Sequence, residues 1–401
     1  MSTRRTLLPR GVSGGPAVAA SALGVVDRAL RDGVGSAVAV AVWAGGERAS
    51  AAVGRTSRLR VVPHAAGQRL EACPGTPTDL ESRFDLASLT KPVATLTLLA
   101  QELSAQKPRL SLDDRLERWL PDARGTGLGQ ATLGQLVSHT SGAPAWLDFW
   151  GGTAGIHDAV ERAKAVRKLV LYTPLERPAG MAAVYSDLGY MSLGWVLEAL
   201  HGEPLDRRFL RSVAVPLGLD AAFRRVSVGA AGDGQPCVTT EVVVRRCPQG
   251  LALQGEVHDD NCAALDGVAG HAGLFATADA VLTWAHAWLR AVRSDGRRRV
   301  GPLGLAPELV RFLVATPGVA GTTWRHGFDT PTQPGSSAGD QVPPDAFGHL
   351  GFTGTSVWCS PGRDAAVVLL TNRVHPTSAV VEGIRRLRPT LHDTLWPQLV
   401  R

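Results

Sequence analysis

An α+β fold follows from three features of the sequence. Strand patterns cluster at both ends of the chain, helical patterns fill its middle, and each end adds a helix outside its strands. The expected architecture is a central antiparallel sheet flanked by N- and C-terminal helices, with a mostly α-helical domain inserted. The division reads as a tail over 1–16, an α/β domain from 17–85 and 266–401, and a helical insertion over 86–265.

Residues 17–33 carry the apolar spacing of an amphipathic helix, with Gly33 as its stop. SAVAVAVW (36–43) predicts a strand, a Gly-Gly pair turns it, and ERASAAVG (47–54) returns beside it. Helical spacing then dominates from Ser88 to about His201. It runs through 111–120, where Leu112, Leu116 and Trp119 share a face, then 157–170 and the largely apolar 188–200. Residues 204–265 are rich in Gly and Pro and give no clear pattern. Strands return at 355–361 and 364–372, joined at Pro361-Gly362, and a last helical stretch covers about 376–399.

Composition narrows the function. At 44% hydrophobic with 45 Gly and 26 Pro, the chain is globular and loop-rich. The charge of +6 comes from scattered arginines interleaved with acids, with no basic stripe, which argues against nucleic acid as a partner. No apolar run approaches the ~20 residues that span a bilayer. The first twenty residues lack the apolar core of a secretion signal, so a cytoplasmic location is expected, or a periplasmic one if the true start differs. Five cysteines without a C-x-x-C pair suit buried thiols better than a disulfide framework. The eleven histidines include no metal-binding spacing. In VHDDN (257–261), a loop hydrogen-bond cluster is preferred over a metal site, and neither metal nor organic cofactor is expected.

Of the 42 Lys and Arg residues only 4 are lysines: Lys91, Lys107, Lys164 and Lys168. A buried lysine can release its proton and act as a base, which arginine cannot. Lys91 lies three residues after Ser88, where an apolar helical run begins. Ser88 suits either a helix N-cap or a nucleophile beside a base. The spacing is cheap by itself, since SAQK (104–107) repeats it. GVSGG (11–15) fits another nucleophile motif but lacks the strand before it and the helix after it. Tyr185, one of 3 tyrosines, precedes the 188–200 helix in VYSDLGY. Its phenol is a poor base unless a cation such as Lys91 lowers its pKa, and Ser186 or Asp187 could simply cap the helix. FGHLGFTGTS (347–356) places His349 and Gly351 on or beside a strand, where a glycine permits close backbone approach. The Phe352 and Ser88 N–H groups then suit an oxyanion.

In this order, Ser88-Leu89-Thr90-Lys91, Tyr185-Ser186-Asp187 and His349-Leu350-Gly351 resemble the S-x-x-K, Y-x-N and K/H-T-G motifs of the serine β-lactamase and penicillin-binding-protein superfamily. The likeness is strongest to its class C-type β-lactamase, esterase and D-amino-acid peptidase branch. It covers roughly 20–395 and includes LSLDDRLERWLP (110–121), LVSHTSGAP (136–144), GVAGHAGLFAT (267–277) and LLTNRVHP (369–376). The resemblance implies a β-lactamase/transpeptidase-like fold and a serine hydrolase acting through an acyl-enzyme on Ser88. Lys91 and Tyr185 would share its proton, and Asp187, His349 and Gly351 would line the substrate site. Asp187 in place of the motif's Asn would alter how a substrate amide is held and could balance the Lys91 charge, and His349-Leu350 in place of Lys-Thr ranks an ester or D-amino-acid peptide above a β-lactam. An alignment of Ser186-Asp187 with S-D-N fails at Leu188. The alternative is a penicillin-binding-like sensor or scaffold that acylates without turnover. Lys91→Arg keeps the charge but cannot give up a proton. Turnover of an activated ester should fall by several orders of magnitude, and near-normal turnover would remove Lys91 from the mechanism.

Overall fold

The computed structural model describes residues 16–64, 67–72, 75–228, 236–243, 246, 251–296 and 298–399. The predicted tail and the 11–15 motif lie outside these residues. So do Cys73 and Cys247, whereas Cys237, Cys262 and Cys359 are buried thiols.

The central sheet joins the two ends of the chain. Its five antiparallel strands run in the order Phe347–Leu350, Ser356–Ser360, Ala365–Thr371, Ala37–Ala44, Glu47–Gly54. Val40 pairs with Leu369 and Ala51, so the two terminal hairpins meet along one seam. Side chains alternate across the seam. Val38, Val40, Val42, Val367 and Leu369 pack beneath the terminal helices Pro16–Arg31 and Glu382–Leu395. Ala37, Ala39, Ala41, Ala366, Val368 and Leu370 turn to the opposite face and the larger core. There the helix Ala278–Arg293 lies against the sheet, and the small alanines leave room for its buried Trp284 and Trp288. Each Val or Leu buried this way stabilises by about 1.5–3 kcal/mol.

A smaller sheet positions the middle of the chain. Leu274–Ala276 pairs with both Phe84–Asp85 and Ala221–Phe223. Leu86 N–H donates to Leu274 O at 2.9 Å, and Thr95 Oγ1 to Gly270 O at 2.7 Å, which ties the Ser88 segment to residues 270–274. The helix Asp187–His201 packs on the same segment. A Cβ on Gly270 would lie 2.0 Å from Tyr190 O, so this approach requires glycine. Among the described residues, no helix is long and apolar enough to cross a membrane.

Three expectations change. The helix expected at 111–120 shrinks to Leu116–Trp119, because the Leu112 and Asp114 carbonyls accept from Gly134 and Leu133 instead of continuing a helix. The Asp114 carboxylate also accepts from Ser111 N–H, a local bond that competes with helix formation. The last helix begins at Glu382 instead of about 376, because Glu241 holds Ser378 N–H and Arg373 holds Ser378 O. Residues 204–265 prove to carry short helices and the strands Ala221–Phe223, Thr239–Val243 and Leu251–Gln254. The sheet therefore has small companions within the middle region.

Asn372 joins both ends of the chain to this region. Its Oδ1 accepts from Ser36 and Ala37 N–H at 2.8 and 2.9 Å, and its Nδ2 donates to Ser36 Oγ and Thr239 O. Asn372→Ala leaves these buried groups unpaired, at ~1–3 kcal/mol each. Urea unfolding should register a loss of several kcal/mol.

Candidate active site

The Ser88 segment is not a plain α-helix. Ala87–Leu89 forms a 3-10 turn, Lys91–Leu96 a π turn, and only Thr97–Leu103 is α-helical. Pro92 lacks the N–H that a regular helix would use, and π turns often occur at functional sites. Ala87 stands in the left-handed region at φ 47°. This conformation costs a non-glycine residue free energy. Asp85 holds it there, since Asp85 Oδ1 accepts from Ala87 N–H at 2.8 Å and Oδ2 from His258 N–H at 2.7 Å. Burial raises the Asp85 pKa, while these two N–H groups oppose the rise. Ser88 is therefore presented from a turn, half-buried, and does not cap a helix.

Lys91 is fully buried and its Nζ makes three contacts. It donates to Ser88 Oγ at 2.9 Å, Asp187 Oδ1 at 2.6 Å and His271 O at 3.3 Å. Burial alone pulls the ammonium pKa down, but Asp187 and Tyr185 more than offset this, and the net shift is upward. Asp187 is the first residue of the Asp187–His201 helix and is spent on Lys91. Ser186 precedes that helix without a capping side-chain bond, because its Oγ donates to Pro144 O. The capping alternative for both residues falls away.

Tyr185 stands 4.8 Å from Lys91 Nζ, measured to the ring centroid, within a box formed by His139, Trp324 and His349. Its hydroxyl is close enough to feel Lys91 and Ser88, yet has no partner of good hydrogen-bond geometry among the described residues. Burial pushes its pKa up and Lys91 only partly opposes this, so the expected net lowering is reversed.

His349 is buried on the strand Phe347–Leu350. Its Nδ1 lies 2.7 Å from Leu350 O, which can only accept, so Nδ1 carries the proton and Nε2 presents a lone pair. Burial and then Lys91 press its pKa down to about 3, leaving a neutral imidazole. Gly351 is needed for packing: a Cβ there would meet Thr355 Oγ1 at 2.0 Å and Leu86 O at 2.7 Å. The close neighbour is the chain itself. Gly351 O accepts from Arg388 at 2.8 Å, and Phe352 O from Arg373 Nε at 2.8 Å. A trans peptide sets C=O and N–H on opposite sides, so the Phe352 N–H turns away from Arg388.

All seven expected residues meet in one region. Ser88, Tyr185, Asp187, His349, Gly351 and Phe352 line a cavity of about 880 Å³, and Lys91 lies in its floor beneath Ser88. His258, Asp259 and Asp260 line it too. His258 Nε2 meets Glu241 at 2.6 Å, and His271 Nε2 meets Asp259 at 3.0 Å. Asp187, Asp259 and His271 could surround a cation, but Lys91 and His271 already engage both carboxylates. Arg373 and Arg388 also line the cavity, and among the described residues neither has a carboxylate at ion-pairing distance.

Several contributors escaped sequence reasoning. His139 packs on Tyr185 with ring centroids 4.6 Å apart, and its Nδ1 accepts from Ser186 N–H at 3.1 Å. It stood within LVSHTSGAP without an assigned role. His271 likewise stood within GVAGHAGLFAT without an assigned role, and no local signal marked Trp324 or Asp85, whose contacts with Tyr185 and with His258 N–H cross long stretches of chain.

Family and relatives place the protein among the serine hydrolases. A family model described as Beta-lactamase matches residues 26–391, and the chain belongs to that family. It is 31% identical over 323 residues to "N-acetylmuramyl-L-alanine amidase" of Bacillus subtilis (strain 168), covering 75% of this chain and 70% of that protein. It is 29% identical over 313 residues to "Putative D-alanyl-D-alanine carboxypeptidase" of Escherichia coli (strain K12), covering 73% and 69%. Among solved structures, "EstCE1, a hydrolase with promiscuous acyltransferase activity" has a TM-score of 0.69 at 22% identity, covering 95% of this chain and 98% of that one. A class C β-lactamase has a TM-score of 0.67 at 14% identity, covering 94% and 95%. These two likenesses carry the fold alone.

The buried histidines set an acid response. His139, His349 and His392 are held neutral below the ordinary value of 6.5, the last two down to about 3. Between those values the unfolded chain binds protons that the folded chain refuses, so stability falls as pH drops through this window. His392 lies away from the cavity and has no hydrogen-bond partner among the described residues. His392→Leu should flatten the slope of unfolding free energy between about pH 7 and 5. An unchanged slope would mean that His392 titrates normally.

Proposed function

We propose that the protein cleaves an ester or amide through an acyl-enzyme on Ser88. The observation that carries this reading is the 2.9 Å contact of Ser88 Oγ with the buried Lys91 Nζ, at the edge of a cavity large enough for a small substrate. Ser88 Oγ attacks the carbonyl carbon as its proton passes to Lys91 in its neutral form. The Ser88 and Phe352 N–H groups hold the oxyanion, a contribution of ~3–4 kcal/mol per donor. The ammonium then gives its proton to the departing alcohol or amine, and water cleaves the acyl-enzyme. Tyr185, stacked beside Lys91, would share the proton with it once a substrate brings its hydroxyl into line, while Asp187, His349 and Gly351 shape the site.

The substrate class we favour is an ester or a D-amino-acid peptide, ahead of a β-lactam. His349 is neutral and Leu350 apolar, so this pair offers a substrate carboxylate no cation. Arg373 and Arg388 supply positive charge elsewhere on the cavity wall, where the free carboxylate of a substrate could pair, and this does not separate a peptide from a β-lactam. The relatives named amidase and carboxypeptidase agree with that ranking.

Intact mass after exposure to a fluorophosphonate probe tests the nucleophile. Wild type should gain one probe mass and Ser88→Ala none. Labelling of both proteins, or of neither, would overturn the reading. Steady turnover of esters and D-peptides is expected, and a single burst without turnover would instead support the sensor alternative.

A further inference from the structure

Lys91 cannot accept the Ser88 proton while it is an ammonium ion, and its surroundings favour that form. The Asp187 carboxylate lies 2.6 Å from Nζ and is only 15% exposed, with Lys91 fully buried. An amide at this position would offer an oxygen without a charge, whereas a carboxylate acts as a counter-ion. We propose that Asp187 is a positioning residue that holds the proton on Lys91, so that acylation switches on only at alkaline pH. This inference rests on Ser88 being the nucleophile.

Every element around Lys91 bears on it. Ser88 accepts one of its hydrogens and the His271 carbonyl another. Tyr185 and Tyr190 present ring centroids at 4.8 and 5.8 Å. His139 and His349 are buried nearby, and each is held neutral partly by the Lys91 charge. Asp259 also feels Lys91, but it is paired with His271 and caps the Asp260–Ala264 turn through Cys262 N–H. Among the described residues, Asp187 alone brings a carboxylate into direct contact with Nζ. Tyr185 comes after Asp187 among the groups that raise the Lys91 pKa, and burial raises its own pKa, so Asp187 is the larger influence.

The chemistry then runs in a fixed order. Lys91 first loses a proton to water. Ser88 Oγ bonds to the carbonyl carbon while its own proton moves to the Nζ lone pair. The regenerated ammonium protonates the leaving alkoxide or amine as the carbonyl–heteroatom bond breaks. Asp187 exchanges no proton in this sequence and acts through its contact with Nζ. Its effect is to make the first proton loss harder.

The test is the rate of fluorophosphonate labelling against pH for wild type, Asp187→Asn, Asp187→Glu and Tyr185→Phe, with folding followed by circular dichroism. Labelling needs only Oγ attack on phosphorus and fluoride departure. Wild type should rise through a limb on the alkaline side. Asp187→Asn removes an opposite charge at contact distance, which is worth ~1–3 pK units. Its limb should move to lower pH by about one unit or more, and Asp187→Glu should stay near wild type. A wild-type limb at or below neutral pH overturns the proposal even if Asp187→Asn fails to fold. So does a limb that ignores Asp187→Asn, or one that moves with Tyr185→Phe instead. Labelling that persists in Ser88→Ala removes the functional reading itself, an outcome separate from all of these.

Discussion

A fully buried ammonium constrains the active region more than any other group. Taking the Lys91 charge out of water costs several kcal/mol unless an opposite charge and hydrogen-bond acceptors replace the lost hydration. The replacements come from distant parts of the chain: Ser88 from its own turn, Asp187 from the start of a helix, and the His271 carbonyl from the loop before Leu274–Ala276. These segments have to meet for the charge to be tolerated. The glycine at 270 and the small sheet at 84–85, 221–223 and 274–276 serve that convergence.

The turn that carries Ser88 is held by the same logic of replacement. Ala87 adopts a conformation that its side chain disfavours, and the buried Asp85 carboxylate offsets the strain by accepting its N–H. Thr353 and Thr355 hydroxyls bond the carbonyls of Asp85 and Leu86, which draws the Gly351–Phe352 turn beside Ser88. Arg388 and Arg373 hold that turn from behind through its carbonyls. One network therefore sets both the strain at Ala87 and the orientation of the Phe352 amide. A hydrolytic site benefits from such rigidity, because pre-oriented donors need no reorganisation when charge develops.

Electrostatics in this site depend on burial as much as on neighbours. Tyr185 shows the balance: the ammonium beside it lowers its pKa, yet burial raises it further. For Lys91 the balance tips the other way, because its contact with Asp187 is direct. His349 stays neutral, since burial and the Lys91 charge act together. None of these outcomes follows from residue identity alone.

The terminal strands were legible in the sequence because side-chain alternation is a local property. SAVAVAVW and DAAVVLLTN form their strands close to the expected residues, and alternate residues along each face opposite layers. Ser88, Lys91, Tyr185 and His349 were legible because their types, spacing and order form a motif set. The short helix at Leu116–Trp119 and the late start at Glu382 were not legible, since carbonyls and side chains from elsewhere take up the backbone groups involved. By itself the sequence determined which residue types would meet at the site. Only the tertiary structure decided that Asp187 faces Lys91 instead of capping a helix, that Asp85 secures the strained turn, and that His139 and Trp324 enclose Tyr185. The Asp187–Lys91, His139–Tyr185 and Trp324–Tyr185 pairings join residues tens to more than a hundred positions apart, and Asp85, although two residues from Ala87, is fixed by His258 N–H from far along the chain, where no local periodicity reaches.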